Sequence, residues 1–337
     1  MFLAGDIGGT KTDLAVFDRA RGPFSPVVEK RYPSGDYESL EAIVREFLDG
    51  FDLPIQHASF AVAGPVSEGS ASLTNLPWVI DQASLASTLP IGSVTLLNDV
   101  AAMAAAIPYL RAGDVRTLRE GKSAPGGTIA LLAAGTGLGQ AFLTWNGDRY
   151  RAHSSEGGHV DFGPTTDLET RLLTRLRARF GRVSYERVCA GRSMPDLYDF
   201  LADESGIPES EEVRAELAIA RDRTPAILQR AVDRERPDPL CSATVDLFSS
   251  VLGAQAGNFA LTVLATGGVY IAGGIPQRIL PVVTGQGRLM VAAFEQKGRL
   301  SPLLGSVPIH VIVDPVALLG AAVESLDSDV AERTAQG

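Results

Sequence analysis

Only two cysteines occur in the 337 residues of this chain, Cys189 and Cys241, and they lie far apart. They form neither a disulfide framework nor a CxxC metal pair, and they suit a reducing compartment. Basic residues are also scarce, with 30 Lys and Arg against 40 Asp and Glu, for a net charge of −10. That balance repels phosphate backbones and anionic lipid, which argues against nucleic-acid and membrane-surface partners. A nucleotide is still admissible, because nucleotide sites rely on local amides and metal ions rather than global charge. No stretch approaches the roughly 20 consecutive apolar residues that a membrane-spanning helix needs. The opening Met1-Phe2-Leu3-Ala4-Gly5-Asp6 has no basic region and no signal-like cleavage site. A cytoplasmic α/β enzyme or binding protein is expected.

Glycine is abundant: 35 Gly and 20 Pro are spread along the chain, without a low-complexity linker. Phe2 to Ala4 reads as a short strand, and Gly5-Asp6-Ile7-Gly8-Gly9-Thr10 as a glycine turn into a second strand around Leu14 and Val16. A helix is expected around Leu40 to Leu48, and strands over His57 to Ala63 and Ser93 to Leu97. An alanine-rich helix then starts at Asn98-Asp99 and stops near Pro108. Thr128 to Ala133, Gly135-Thr136-Gly137-Leu138-Gly139 and Gln140 to Trp145 repeat the opening strand–glycine turn–strand pattern about 130 residues later. Two similarly built halves follow from that weak repeat. Helical stretches are expected over 167–181 and 210–265, strands at Val269 to Ala272 and Ile309 to Val313, and a closing helix from Val316 to Leu326 with a frayed polar tail.

Neither glycine turn is a Walker A loop, and neither satisfies GxGxxG. A single glycine hairpin is an ordinary structural turn. Two of them, with a third turn at Gly273-Gly274 after a strand, point to backbone amides gripping a phosphate chain from two sides. Asp6, read as part of the first turn, can hold Mg²⁺ directly or through water. Thr10, Lys11 and Thr136 can donate to phosphate oxygens.

Asp99 ends an apolar strand, where a functional carboxylate of an α/β sheet commonly sits. It can equally be a plain helix N-cap. Phosphoryl transfer to a hydroxyl needs a carboxylate in reach of that hydroxyl, and Asn98 beside it can orient a neighbouring one. Glu156-Gly157-Gly158-His159-Val160-Asp161 and the later Glu186 offer two carboxylates and an imidazole, suited to the many hydroxyls of a sugar. A metal site from Glu156, His159 and Asp161, or a surface turn, are the other readings of that cluster.

These residues resemble a known family. Asp6-Ile7-Gly8-Gly9-Thr10 is similar to the first phosphate loop of sugar kinases with the actin and hexokinase ATPase fold. Ala63-Gly64-Pro65-Val66, Leu73-Thr74-Asn75-Leu76-Pro77-Trp78, Leu97-Asn98-Asp99, the second glycine turn, Glu156 to Phe162, Ser184-Tyr185-Glu186-Arg187-Val188 and Leu318-Leu319-Gly320 resemble the bacterial glucokinase family. The resemblance implies a two-domain, actin-like (ribonuclease H-like) α/β ATPase fold with a cleft between a small domain, 1–107 plus 315–337, and a large one, 108–314. It implies glucose held by the residues matching Asn98, Asp99, Glu156, His159 and Glu186, with Asp99 as base for the 6-hydroxyl. ATP with Mg²⁺ is implied at Asp6, Gly8, Gly9, Thr10, Lys11, Gly135, Thr136, Gly137, Gly139, Gly273 and Gly274, and a homodimer as the assembly. Lys11-Thr12 departs from the Asn-Ala of that family and resembles the Lys-Thr of the repressor–ORF–kinase sugar kinases. The CxCGxxGC zinc motif of the latter is absent, and no helix-turn-helix domain is expected before Asp6. A kinase for another hexose, a non-catalytic sugar sensor and an actin-like filament protein are the competing functions.

Overall fold

The computed structural model describes residues 1–50, 54–73, 76–283 and 289–336, with side chains as far as 327. Thr74 and Asn75, inside one family-like segment, lie outside the described residues. The chain divides into two compact units. The first comprises Met1–Leu110, Arg149–Ser154 and Asp314–Gly337, and the second Arg111–Asp148 and Ser155–Val313.

In the first unit, β1 (Phe2–Ile7) and β2 (Lys11–Phe17) form an antiparallel hairpin. β3 (Val28–Pro33) extends it on the β2 side. The glycine turn is shorter than the sequence pattern predicts, since Gly5, Asp6 and Ile7 all belong to β1. Gly5 is a strand residue here because Phe60 and Leu14 fill the space beside it: a Cβ at Gly5 would meet them at 2.7 and 2.9 Å. Helix α1 (Leu40–Leu48) is capped by Ser39, whose hydroxyl accepts from Ala42 N–H, a contribution of about 1 kcal/mol. β4 (Ile55–Val62) runs parallel to β1. A small sheet follows, from β5 (Val66–Ser67), β6 (Ser70–Ser72) and β7 (Val79–Asp81). Helix α2 (Gln82–Thr88) leads into β8 (Ile91–Asn98), parallel to β4, and then into α3 (Asp99–Ala106). The main sheet is ordered β3-β2-β1-β4-β8.

The second unit repeats this plan. β9 (Val115–Arg119) precedes the hairpin of β10 (Ile129–Ala134) and β11 (Leu138–Trp145). After β12 (Tyr150–Ser155), all but the last residue of which belongs to the first unit, come helices α4 (Asp167–Phe180), α5 (Met194–Glu204), α6 (Glu211–Ile219), α7 (Thr224–Val232) and α8 (Pro239–Val263). The helical stretch expected over 210–265 is therefore three helices; Pro225 and Pro239 each start a new one, as fixed φ and a missing N–H favour. β13 (Gly268–Ala272) pairs parallel with β10, and β14 (Ile309–Ile312) parallel with β13. Short helices α9 (Gly274–Arg278), α10 (Leu280–Val283), α11 (Leu289–Glu295) and α12 (Ser301–Leu304) lie between them. A hairpin followed by parallel strands thus recurs, as β1-β2 with β4 and β8 and as β10-β11 with β13 and β14. The weak repeat in the sequence is a repeat of architecture.

The final helix α13 (Ala317–Gln336) belongs to the first unit and continues through the tail expected to fray. Ala317, Ala321 and Ala322 pack on Ala4, Ala15, Ala61 and Ala102, small residues that let helices and sheet approach closely. The buried Ser325 hydroxyl donates to Leu3 O at 3.0 Å, and Arg149 pairs with Asp327 at 2.7 Å.

Candidate active site

In the first unit the turn at Gly8, Gly9 and Thr10 is braced from one side. Gly8 N–H donates to Lys11 O at 2.9 Å, Ser34 N–H to Thr10 O at 3.1 Å, and the Ser34 hydroxyl to Gly8 O at 2.7 Å. Thr12, fully buried, shares a 3.0 Å hydrogen bond with Ser34. The Lys11-Thr12 departure thus has a structural use, since Thr12 steadies the residue that holds the loop. Ser34 carried no signal in the sequence.

Asp6 lies on β1 directly across from Asp13 on β2. Asp13 is saturated with cations: Arg31 contacts both its oxygens at 2.5 and 3.1 Å, and Lys11 lies at 3.2 Å. Lys11, expected to reach a phosphate, is committed to Asp13 in this state. Burial pushes the Asp6 carboxyl up to about 6, helped by Asp13 and Asp99 and opposed by Lys11 and Arg31.

Two adjacent residues at the β8–α3 junction divide the labour. Asn98 is the helix cap: its Oδ1 accepts from Val100 and Ala101 N–H at 3.0 and 3.3 Å, and its Nδ2 donates to Gly64 O at 3.0 Å. Its side chain also hydrogen-bonds to the neighbouring Asp99 carboxylate. Asp99, read alternatively as the cap, is instead the first helical residue. Its Oδ1 accepts from Val100 N–H at 2.9 Å. Burial raises its pKa, against the lowering effect of that N–H.

In the second unit the turn comprises Gly135, Thr136 and Gly137, closed by Gly135 N–H donating to Gly137 O at 2.9 Å. Gly139, expected in the turn, sits within β11 opposite Ala133, because strand pairing resumes at Leu138. Gly273 adopts φ +98, a left-handed conformation open to glycine, and a Cβ there would lie 2.3 Å from Ala134 O. Gly135, Thr136 and Gly274 border a cavity of about 430 Å³, walled also by Leu228, Ile275 and Pro225, with Asp222, Arg192 and Arg278 on its lining. None of those six belongs to a motif, so sequence reasoning missed them.

The Glu156–His159 turn lies on the same unit, with Glu156 Oε2 3.7 Å from His159 Nε2 and both side chains largely exposed. Gly158 packs on β11 so closely that a Cβ would lie 1.9 Å from Leu138 O. Glu186 Oε2 accepts from Leu138 N–H at 3.0 Å. Glu156, His159 and Glu186 thus gather around the start of β11. Asp161 pairs with Arg182 at 2.6 Å on the surface. Among the described residues no group of three His, Cys, Asp or Glu is arranged to hold a metal ion. No helix among them is long and apolar enough to cross a membrane.

The glucokinase family profile matches residues 3–327. The chain belongs to the glucokinase family. A glucokinase of Nostoc sp. is 40% identical over 96% of this chain and 98% of its own. The crystal structure of a glucokinase from an Antarctic psychrotroph superimposes with TM-score 0.80 at 32% identity, covering 97% of this chain and 98% of the other. A repressor–ORF–kinase (ROK) family glucokinase of Streptomyces griseus, solved with glucose and AMPPNP, matches at TM-score 0.61 and 17% identity, covering 97% and 99%. This last likeness is one of fold alone.

Proposed function

We propose that this chain is an ATP-dependent glucokinase, moving the γ-phosphate of MgATP to the 6-hydroxyl of glucose with Asp99 as general base. The observation that carries the assignment of the base is the division of labour at 98–99. Asn98 caps the helix through two N–H groups, and the half-buried Asp99 shares only that of Val100. Its raised pKa brings a carboxylate closer to the range in which it accepts a proton effectively. As the 6-oxygen attacks, the new O–P bond forms, the bond from γ-phosphorus to the bridging oxygen of ADP breaks, and the hydroxyl proton passes to Asp99.

Asn98 orients a neighbouring sugar hydroxyl. Glu156, His159 and Glu186 accept from and donate to the others. The amides around Gly8, Gly9, Thr10, Gly135, Thr136, Gly137, Gly273 and Gly274 bind phosphate oxygens. The nucleoside takes the 430 Å³ cavity of the second unit, its base against Leu228, Ile275 and Pro225 and a ribose hydroxyl on Asp222. Asp6 fits a hard cation, being a half-buried carboxylate near Asp13 and Asp99 whose charge is disfavoured by burial and only partly offset by Lys11 and Arg31. Mg²⁺ bound there, through water, would neutralise phosphate charge.

The same reading makes the enzyme a cytoplasmic homodimer acting at the entry of glucose into glycolysis; light scattering on the purified protein checks the dimer. The central test is transfer from MgATP to a panel of hexoses, with Asp99→Asn alongside. Turnover is expected on glucose, reduced about 10²–10⁴-fold in Asp99→Asn, with glucose binding retained. Full turnover in the variant removes Asp99 from the mechanism. A stronger preference for another hexose changes the substrate but not the chemistry.

A further inference from the structure

Behind the Glu156 and Glu186 segments, helix α8 carries polar side chains that no phosphate or sugar contact explains. Asn258 is the centre of them. Its Nδ2 donates to the Tyr185 hydroxyl at 2.9 Å and to Gln255 Oε1 at 3.3 Å. Its Oδ1 accepts from Lys297 Nζ at 2.8 Å, and the same ammonium donates to Ala254 O at 3.0 Å.

Each branch ends beside a carboxylate assigned to the sugar. Tyr185 immediately precedes Glu186; it is 3% exposed, its ring packs edge-on against Phe162 at 5.5 Å, and its hydroxyl donates to Gly163 O at 3.5 Å. Gln255, also 3% exposed, donates to Gly157 O at 3.5 Å, the residue after Glu156. Both hydrogens of one amide are therefore spent on the two sugar-binding segments, and its oxygen is fixed by a half-buried ammonium. Burial lowers the Lys297 pKa, with Glu169 opposing that shift. A core serving stability alone would fill this space with apolar groups, since buried polar networks add little net stability. What they do supply is a single geometry.

We propose that Asn258, anchored by Lys297, is a positioning residue that sets the relative placement of Glu156 and Glu186 and so tunes affinity for the sugar. The inference rests on the assignment of those two carboxylates to glucose.

The test is steady-state kinetics on Asn258→Leu, Asn258→Asp and Tyr185→Phe, with Glu156→Gln and Glu186→Gln as references and thermal melts throughout. Asn258→Leu is expected to raise the KM for glucose about tenfold, the effect of one unpaired buried polar group. The KM for ATP should stay within about twofold and kcat within about threefold, the pattern of lost ground-state positioning. Asn258→Asp should largely rescue the glucose KM, because it still accepts from Lys297 and the Tyr185 hydroxyl can turn to donate to it. Tyr185→Phe keeps the ring on Phe162 and should raise the glucose KM about threefold; it decides the matter if Asn258→Leu does not fold. Parallel rises in both KM values, or an unchanged glucose KM in a folded Asn258→Leu, overturn the inference. If the two glutamate references also leave the glucose KM unchanged, the sugar-site assignment itself is what fails.

Discussion

The Glu186 carboxylate accepts the backbone N–H of Leu138 at 3.0 Å, which ties the acid proposed to bind sugar to the residue that follows the second glycine turn. A charge-assisted bond of this kind is stronger than a neutral one. Any displacement of the turn is therefore felt at Glu186, and the reverse also holds.

Gly137→Ala tests that tie. A Cβ at Gly137 would lie 2.5 Å from Glu186 Oε2, so the carboxylate must move. The KM values for glucose and for ATP should both rise, by about tenfold each if one hydrogen bond is lost at each site. A change confined to ATP would show that the two sites are independent.

Asp6 should make stability depend on pH in a defined direction. Its folded pKa of about 6 lies above the ordinary 3.8, so folding favours the protonated form. That contribution is complete below about pH 4 and is lost as pH rises through 6. Asp6→Asn should accordingly stabilise the ligand-free protein at pH 7.5, by roughly 2–3 kcal/mol from a shift of about two pH units. The gain should fade toward pH 4, and thermal melts across that window give the answer. A gain independent of pH would mean that Asp6 is not held against its charge.

Gly320 is where α13 meets α3. A Cβ there would lie 1.7 Å from Ala102 O, and α3 begins with Asp99. Gly320→Ala should cost about 2 kcal/mol or more by overpacking. It should also lower kcat, because it shifts the helix that carries Asp99, the proposed base. Denaturant unfolding and turnover measured on the same preparation would separate the two effects.

Leu228→Arg places a charged, bulky side chain in the cavity of the second unit. The KM for ATP should rise at least about tenfold, while glucose binding measured without nucleotide stays unchanged. An unchanged ATP KM would move the nucleoside out of that cavity.

The amino-acid order alone determined the parts of this protein that depend on local chemistry. The two strand–glycine turn–strand units are legible because short apolar runs and glycine act over a few residues. Asp99 and the Glu156, His159 and Glu186 set stand out in the sequence as candidates because carboxylates and imidazole occur where apolar strands and glycine turns stop. Residues far apart in sequence could be joined only by folding. Asp13 looks like an ordinary strand residue until β2 sets it across from Asp6. Ser34 looks like a loop serine until it supports the Gly8 turn. Asn258 and Lys297, inside and after helical segments, show no motif, and the tertiary structure alone brings them behind Tyr185 and Gly157. The same holds for the pair at 98–99: either side chain can cap a helix, and the backbone at the end of β8 gave that task to Asn98, leaving Asp99 for chemistry. A hydrogen-bond partner is chosen by distance in space, and sequence spacing carries that information only within a turn or two of the chain.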